Sequence, residues 1–190
     1  MKALEEKILR EGNVLPGHIL KVGSFLNHQI DADFNMEMGR EIARLFADAG
    51  VTRVLTIETS GIALALGAAA ALHVPMVFAK KNRSSNLSGD LYQTVVHSYT
   101  HNTDYTVVVE KQYIHPEDRV LIVDDFLANG KALIGLRELV EMAGDTVVGA
   151  SVAIEKGFQG GGDALRAQGM RVESLAIIES MSDSELTFRS

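Results

Sequence analysis

The chain has 190 residues, 46% hydrophobic and 23% charged, which suits one α/β domain and is too short for two ordinary ones. Its 25 acidic against 18 basic side chains leave a formal net charge of -7, a surface that repels nucleic-acid phosphates. It contains no cysteine, so disulfides and thiolate chemistry are excluded, zinc loses its commonest ligand, and a reducing cytoplasm is the expected compartment.

Taken in order, the chain begins with MKALEEKILREG, which carries acids and no apolar h-region, so it reads as a helix over residues 2–11 and not as a signal peptide. Residues 12–23 contain Gly12, Pro16, Gly17 and Gly23 and are expected to form an irregular connector. From Asn35 to Ala49, Met38, Ile42, Leu45, Phe46 and Ala49 recur at helical spacing, and Gly50 stops the pattern. Strand and helix then alternate. Arg53 to Ile57 is a strand, Glu58 to Gly61 a turn, an Ala/Leu helix runs to Leu72, and Pro75 to Ala79 is a second strand. The stretch from Thr59 to Ala79 is free of Asp, Glu, Lys and Arg and long enough to span a bilayer, but Gly67, His73 and Pro75 divide it into loop, buried helix and strand, so no membrane is expected.

Between Leu91 and Glu110 two β-prone runs, LYQTVVHSY and YTVVVE, flank the polar THNTD. They predict a hairpin inserted in the α/β rhythm, either an antiparallel edge pair or a flap over a site, and the two readings are compatible. RVLIV at 119–123 is a strand buried on both faces. A helix from Lys131 to Met142, ended by Gly144, and strands over Thr146 to Ile154 and Arg171 to Ile178 complete a mainly parallel sheet flanked by helices.

The chemistry concentrates in Val120 to Ala132, VLIVDDFLANGKA. An apolar strand ends in Asp124 and Asp125; small residues then open a helix. In parallel α/β sheets ligands bind beyond the carboxyl ends of strands. Small residues let main-chain N–H groups approach an anion, and a helix N-terminus adds unpaired donors. Carboxylates suit hydroxyls and Mg²⁺, amides suit phosphate, and a sugar phosphate offers both partners. Gly130-Lys131 is followed by Ala132, so this is no Walker loop, and Gly160-Gly161-Gly162 is no dinucleotide fingerprint.

VLIVDDFLANGKA resembles the phosphoribosyl pyrophosphate motif of the type I phosphoribosyltransferases, and within them the purine enzymes that use xanthine. The commoner family form carries Ala-Thr-Gly-Gly-Thr where this chain has Ala128-Asn129-Gly130-Lys131-Ala132, so the phosphate-binding threonines are replaced by Asn129, Lys131 and backbone amides. The resemblance covers essentially the whole of 1–190 as a single domain. It implies a hood over the base from about residues 1–35 and a flap at about 91–110. It also implies transfer of a 5-phosphoribosyl group to xanthine. Ala128 to Ala132 then bind the 5′-phosphate. Asp124 and Asp125 bind the ribose hydroxyls, and either is the candidate acid or base. Glu58-Thr59-Ser60-Gly61 matches the pyrophosphate loop; by itself that turn is equally a βα loop with Ser60 as helix cap. Lys81, in the run Lys80-Lys81-Asn82-Arg83, is a pyrophosphate partner; a charge run is more often a solvated face.

Xanthine has carbonyl oxygens at C2 and C6, so its pocket needs donors on two sides. The resemblance gives Lys156 to O6, Phe158 to the ring face, and Leu20 and Asn27 to the opposite edge. Read alone, Lys156 is a loop lysine, Phe158 a packing residue and Asn27 a turn residue. The resemblance also implies Mg²⁺ carried by pyrophosphate, with no direct protein ligand and with Asp124 and Asp125 in reach through water. It implies a homodimer as well, for which the apolar helices near 35–50 and 61–72 are the candidates. Two alternatives stay open. One is a guanine or hypoxanthine enzyme, since an amide can turn either face to the base. The other is a non-catalytic regulator that senses phosphoribosyl pyrophosphate, for which no basic recognition helix is present in the first 70 residues.

Overall fold

The structure is a computed structural model that describes residues 1–82, 89–98 and 103–189. The anticipated Arg83 and the tip of the hairpin at residues 99–102 lie outside the described residues.

The N-terminal 31 residues form helix α1 (Lys2–Glu11) and a small two-stranded sheet of β1 (Asn13–Leu15) and β2 (Ile19–Lys21). This corrects the irregular connector expected at 12–23: Pro16, Gly17 and His18 make a tight reversal, Gly17 and His18 both having positive φ, and three residues on each side pair. Helix α2 (Ala32–Leu45) starts three residues earlier than its periodicity suggests and ends four earlier. Asp31 caps it, its carboxylate accepting the Phe34 N–H at 3.1 Å, a signal that the apolar pattern alone does not weigh.

The remaining elements are β3 (Arg53–Ile57), α3 (Gly61–Leu72), β4 (Met76–Lys81), β5 (Leu91–Ser98), β6 (Thr103–Glu110), β7 (Arg119–Leu127), α4 (Lys131–Met142), β8 (Thr146–Lys156), α5 (Gly161–Ala167), β9 (Val172–Met181) and β10 (Leu186–Phe188). Eight strands form one sheet in the order β10-β9-β8-β7-β3-β4-β6-β5. The central five are parallel, and the antiparallel strands are confined to the margins. The hairpin expected as an insertion is an edge pair continuing the sheet, with Lys80 opposite Val108 and Lys81 opposite Val107. Strand boundaries differ from expectation: β7 runs on through both acids to Leu127, β8 includes Lys156, β4 continues to Lys81 and β9 to Met181. β10 was not expected, because three residues carry no periodicity.

Side chains alternate across β7 into two cores. Leu121 and Val123 face α1, α2 and α3 with Leu4, Ile8, Met38, Ile42 and Leu64; Val120 and Ile122 face α4 with Leu133, Leu136 and Leu139. Helices α2 and α3 cross almost backbone to backbone. A Cβ at Gly39 would stand 2.3 Å from the Gly67 carbonyl carbon, and one at Gly67 would stand 3.0 Å from Asn35 Nδ2. Asn35 secures the crossing by donating to the Ala63 carbonyl at 2.8 Å. On the other face, Gly135 of α4 receives Val96 of β5, and the Thr94 hydroxyl donates to Glu138, so the root of the hairpin is fastened to α4. Among the described residues no helix is long and apolar enough to cross a membrane.

Candidate functional site

The carboxyl ends of β3, β7 and β8 open on one side of the sheet. Asp124 and Asp125, successive residues of β7, are 7% and 8% exposed. The Asp125 N–H donates to Asp124 Oδ1 at 2.9 Å. Burial pushes the Asp124 carboxyl well above the usual carboxylate range, and the charge of Asp125 adds to the shift; the cation of Lys81 works weakly against it. No basic side chain forms an ion pair with Asp124 or Asp125 among the described residues. A buried acid kept without a neutralising partner is expensive, and such groups concentrate at functional sites.

Some of the expected site residues lie around this pair, among them Gly61, Asn27 and Lys81. The turn Glu58 to Gly61 packs directly on it. A Cβ at Gly61 would stand 2.8 Å from Asp124 Oδ1 and 2.3 Å from the Thr56 hydroxyl, so only glycine lets the turn come this near. The Glu58–Thr59 peptide is cis. Glu58 Oε1 accepts the Lys81 N–H at 2.6 Å, tying the turn to the end of β4. Thr59 and Ser60 are exposed, and Ser60 makes no side-chain cap on α3. The Lys81 ammonium lies 5.3 Å from the centre of the Tyr105 ring.

Beyond β7, Ala128 to Gly130 lead into α4. Gly130 has φ +83°, the left-handed conformation this turn requires. Asn129 Oδ1 accepts the Lys131 N–H at 3.2 Å, so the residue in the threonine position bonds the first N–H of the helix that follows, whose N-cap is Gly130. Asn129 and Lys131 are exposed, and Ala128 and Ala132 are half-buried.

At the end of β8, Lys156 is half-buried, and burial lowers its pKa. It donates to the His18 carbonyl at 2.9 Å, and its ammonium is 6.0 Å from the centre of the Phe126 ring. Phe158, in the 3-10 turn Gly157–Gln159, is 36% exposed, with its ring centre 5.3 Å from that of His18. The N-terminal segment thus reaches both residues expected to read the base. It also reaches the acids: Asn27 Nδ2 donates to Asp125 Oδ2 at 3.1 Å. Leu20 lies in the first core, 7% exposed, beneath this segment.

Sequence reasoning missed four residues here. Tyr105 of β6 is close enough that the charge of Asp124, after burial, raises its pKa. The Thr56 hydroxyl, fully buried under Gly61, has no hydrogen-bond partner among the described residues. His18 touches Lys156 and Phe158, and Gly161 abuts the loop before α4. Tyr105, His18 and Gly161 are placed by segments distant in sequence, so no local spacing announces them, and Thr56 reads only as a strand residue; Gly160-Gly161-Gly162 stands out as a composition run.

The arrangement offers acids for sugar hydroxyls, a main-chain cradle for an anion, and a separate aromatic and cationic corner for a planar, carbonyl-bearing ring. Comparisons with known proteins identify the family. A family model described as a phosphoribosyl transferase domain matches residues 24–170. A xanthine phosphoribosyltransferase of Bifidobacterium longum (strain NCC 2705) is 54% identical, with all of both chains covered, and one of Clostridioides difficile (strain 630) is 51% identical with the same coverage. Among solved structures, an adenine phosphoribosyltransferase of Giardia lamblia complexed with 9-deazaadenine matches with a TM-score of 0.77 at 23% identity, covering 94% of this chain and 98% of that one. One from Rhodothermus marinus gives 0.75 at 24% identity, covering 94% and 100%. These two likenesses are of fold alone.

Proposed function

On the premise that this chain belongs to the phosphoribosyl transferase domain family, we propose that it transfers the 5-phosphoribosyl group of phosphoribosyl pyrophosphate to xanthine, giving xanthosine 5′-monophosphate and pyrophosphate in purine salvage. The observation that carries the reading is the pair of buried, unneutralised acids facing a small-residue loop at the mouth of β7, in a chain about half identical over its full length to xanthine phosphoribosyltransferases.

A purine nitrogen attacks C1 of the ribose, the bond to pyrophosphate breaks, and positive charge develops on the sugar. The protein's work is alignment, charge placement and exclusion of water. Asp124 and Asp125 hold the ribose hydroxyls, their carboxyl oxygens accepting the sugar O–H groups. The amides of Ala128 to Ala132 hold the 5′-phosphate. The Glu58 to Gly61 turn and Lys81 face the departing pyrophosphate. The hairpin β5–β6 is the flap that shields the site.

Lys156 donates to O6 of xanthine and Phe158 packs on the ring. Asn27 has a second amide N–H beyond the one given to Asp125, and it serves O2 from the hood, which Leu20 supports from within the core. A desolvated ammonium is a strong donor to a carbonyl, which favours 6-oxopurines over adenine.

Mg²⁺ fits the site as an ion carried by substrate. No three His, Asp or Glu side chains converge to cage it among the described residues, while two adjacent carboxylates suit a cation that keeps water and phosphate as its main ligands. When bound, it neutralises pyrophosphate charge. We place the enzyme in the cytoplasm, in keeping with its lack of cysteine, as a homodimer. The apolar Leu66 of α3, 57% exposed, and Met36 of α2, 36% exposed, support a shared surface there.

The test is a panel of purine bases with phosphoribosyl pyrophosphate and Mg²⁺, following nucleotide formation. Xanthine should give the highest kcat/KM. A clear preference for guanine or hypoxanthine would transfer the assignment to them, and no turnover of any base would leave a sensor of phosphoribosyl pyrophosphate.

A further inference from the structure

Gly160, Gly161 and Gly162 take no part in the reaction as described, and their spacing is not a nucleotide fingerprint. The structure sets the middle one against the back of the phosphate loop. A Cβ at Gly161 would stand 2.2 Å from the Ala128 carbonyl oxygen, 2.5 Å from the Asn129 carbonyl carbon and 2.7 Å from the Gly130 nitrogen. All three are main-chain atoms of the loop, so none can swing aside as the end of a side chain can. The same helix supports the loop at a second point, since a Cβ at Gly130 would stand 3.2 Å from Leu165 Cδ1.

The support is itself held firmly. Arg166 of α5 grips the fully buried Glu155 of β8 through two hydrogen bonds of 3.0 and 2.6 Å, and Ser174 of β9 bonds the same carboxylate. Asp163 of α5 receives Arg189 from the segment after β10 at 3.0 and 3.2 Å. A side chain at position 161 therefore cannot be absorbed by moving α5, and the displacement falls on the loop.

We infer that Gly161 is a positioning residue for the transfer reaction: its bare backbone sets the height of residues 128–130, whose amides meet the 5′-phosphate. The inference rests on the function proposed above. Adding a methyl group forces the loop to shift by about 1 Å, an error large enough to weaken a preorganised anion cradle. The effect is confined to one substrate, because the three nearest neighbours of Gly161 all belong to the loop and none to the corner formed by Lys156 and Phe158.

The experiment compares the full-length enzyme with Gly161→Ala and Gly169→Ala. Gly169 lies just beyond the other end of α5, has φ +86° and has nothing within 4 Å of where its Cβ would be, so its substitution strains the backbone without touching the loop. Each protein is assayed with phosphoribosyl pyrophosphate and xanthine varied in turn, and binding of ribose 5-phosphate is measured by calorimetry. Gly161→Ala should raise the KM for phosphoribosyl pyrophosphate and the Kd for ribose 5-phosphate by about tenfold or more, with the xanthine KM nearly unchanged. Gly169→Ala should leave all three near wild type while lowering Tm.

The inference is overturned if Gly161→Ala leaves the sugar-phosphate constants unmoved. It is equally overturned if both KM values rise in step, or if Gly169→Ala produces the same selective loss. Should Gly161→Ala not fold, Leu165→Val withdraws the support from Gly130 instead, and the same selective rise is expected; its absence rejects the inference. A wild-type enzyme that neither binds ribose 5-phosphate nor makes nucleotide rejects the proposed function itself, a result distinct from any of these.

Discussion

Strand β7 has a buried aspartate problem at each end, and the two are handled in opposite ways. Just before its first residue, Asp118 is 8% exposed and surrounded by donors: Arg53 Nε at 2.5 Å, the Thr52 hydroxyl at 2.8 Å and the His115 N–H at 2.9 Å. Burial alone would raise its pKa, but these partners prevail and hold the carboxyl below the usual carboxylate range. Its neighbour Asp145 accepts the Asp118 N–H and is itself pushed up, by burial and then by the charge of Asp118. Toward the other end, Asp124 is equally buried and shares its space with a second acid, and its pKa rises. One end stores a charge inside the protein with its neutralising partners built in. The other lacks such partners among the described residues, and that incompleteness is what the proposed site draws on.

The sharpest way to break this contrast is Asp124→Asn. It should lower kcat/KM on the order of 10²-fold or more and at the same time raise Tm at neutral pH, since it removes an uncompensated buried charge. A group whose pKa is raised on folding favours the folded state most below the ordinary carboxylate range, and this contribution is lost as pH rises through the raised value. The stability advantage of Asp124→Asn should therefore grow from mildly acidic to neutral pH. A variant both inactive and less stable at pH 7 would show that Asp124 is structurally compensated after all.

Asp118→Ala should behave in the reverse sense, losing about 3–5 kcal/mol by stranding Arg53 while retaining turnover per folded molecule. Here the folded pKa is depressed, so the wild-type contribution is present above the ordinary carboxylate range and is lost as pH falls through the lowered value. Urea denaturation across acidic pH measures it directly, and a stability difference that persists undiminished well below that range would contradict the ion-pair account.

Lys156→Ala should raise the xanthine KM about 10–100-fold, the worth of one hydrogen bond from a charged donor, and leave ribose 5-phosphate binding intact. Full xanthine turnover by that variant would remove the lysine from base recognition. The smallest effect belongs to a site at neither end of β7: Thr94→Val, which deletes the hydroxyl donated to Glu138, should cost about 1 kcal/mol in stability with no selective change in either KM.

How much of this was legible in the chain depends on how far apart the cooperating residues lie. VLIVDDFLANGKA could be read because strand, acids, turn and helix start all fall within 13 consecutive residues. The alternation of strand and helix from Arg53 onward was equally plain, being periodic and local. The boundaries were not, since an aspartate in a strand resembles the end of one; only the ladder to β8, with Asp124 opposite Val152, shows that β7 continues. The contacts of Tyr105 and His18 depend on β6 lying against β4 and on the N-terminal segment folding back 138 residues in sequence to Lys156. No window of the chain contains that information. Base preference is a further step removed: solved adenine phosphoribosyltransferases share the fold, while relatives about half identical over the full length are xanthine phosphoribosyltransferases. The fold is common to both, so it does not by itself distinguish one base from another.

The crossing of α2 over α3 bears on how such a protein can be re-engineered. With Gly39 and Gly67 meeting at the main chain, the two helices leave no volume in which a randomised position could sample alternatives, and libraries directed there would return chiefly unfolded chains. Substitutions at exposed positions such as Pro16, Phe158 and Gln159 leave that crossing undisturbed, so variation there need not disturb the scaffold.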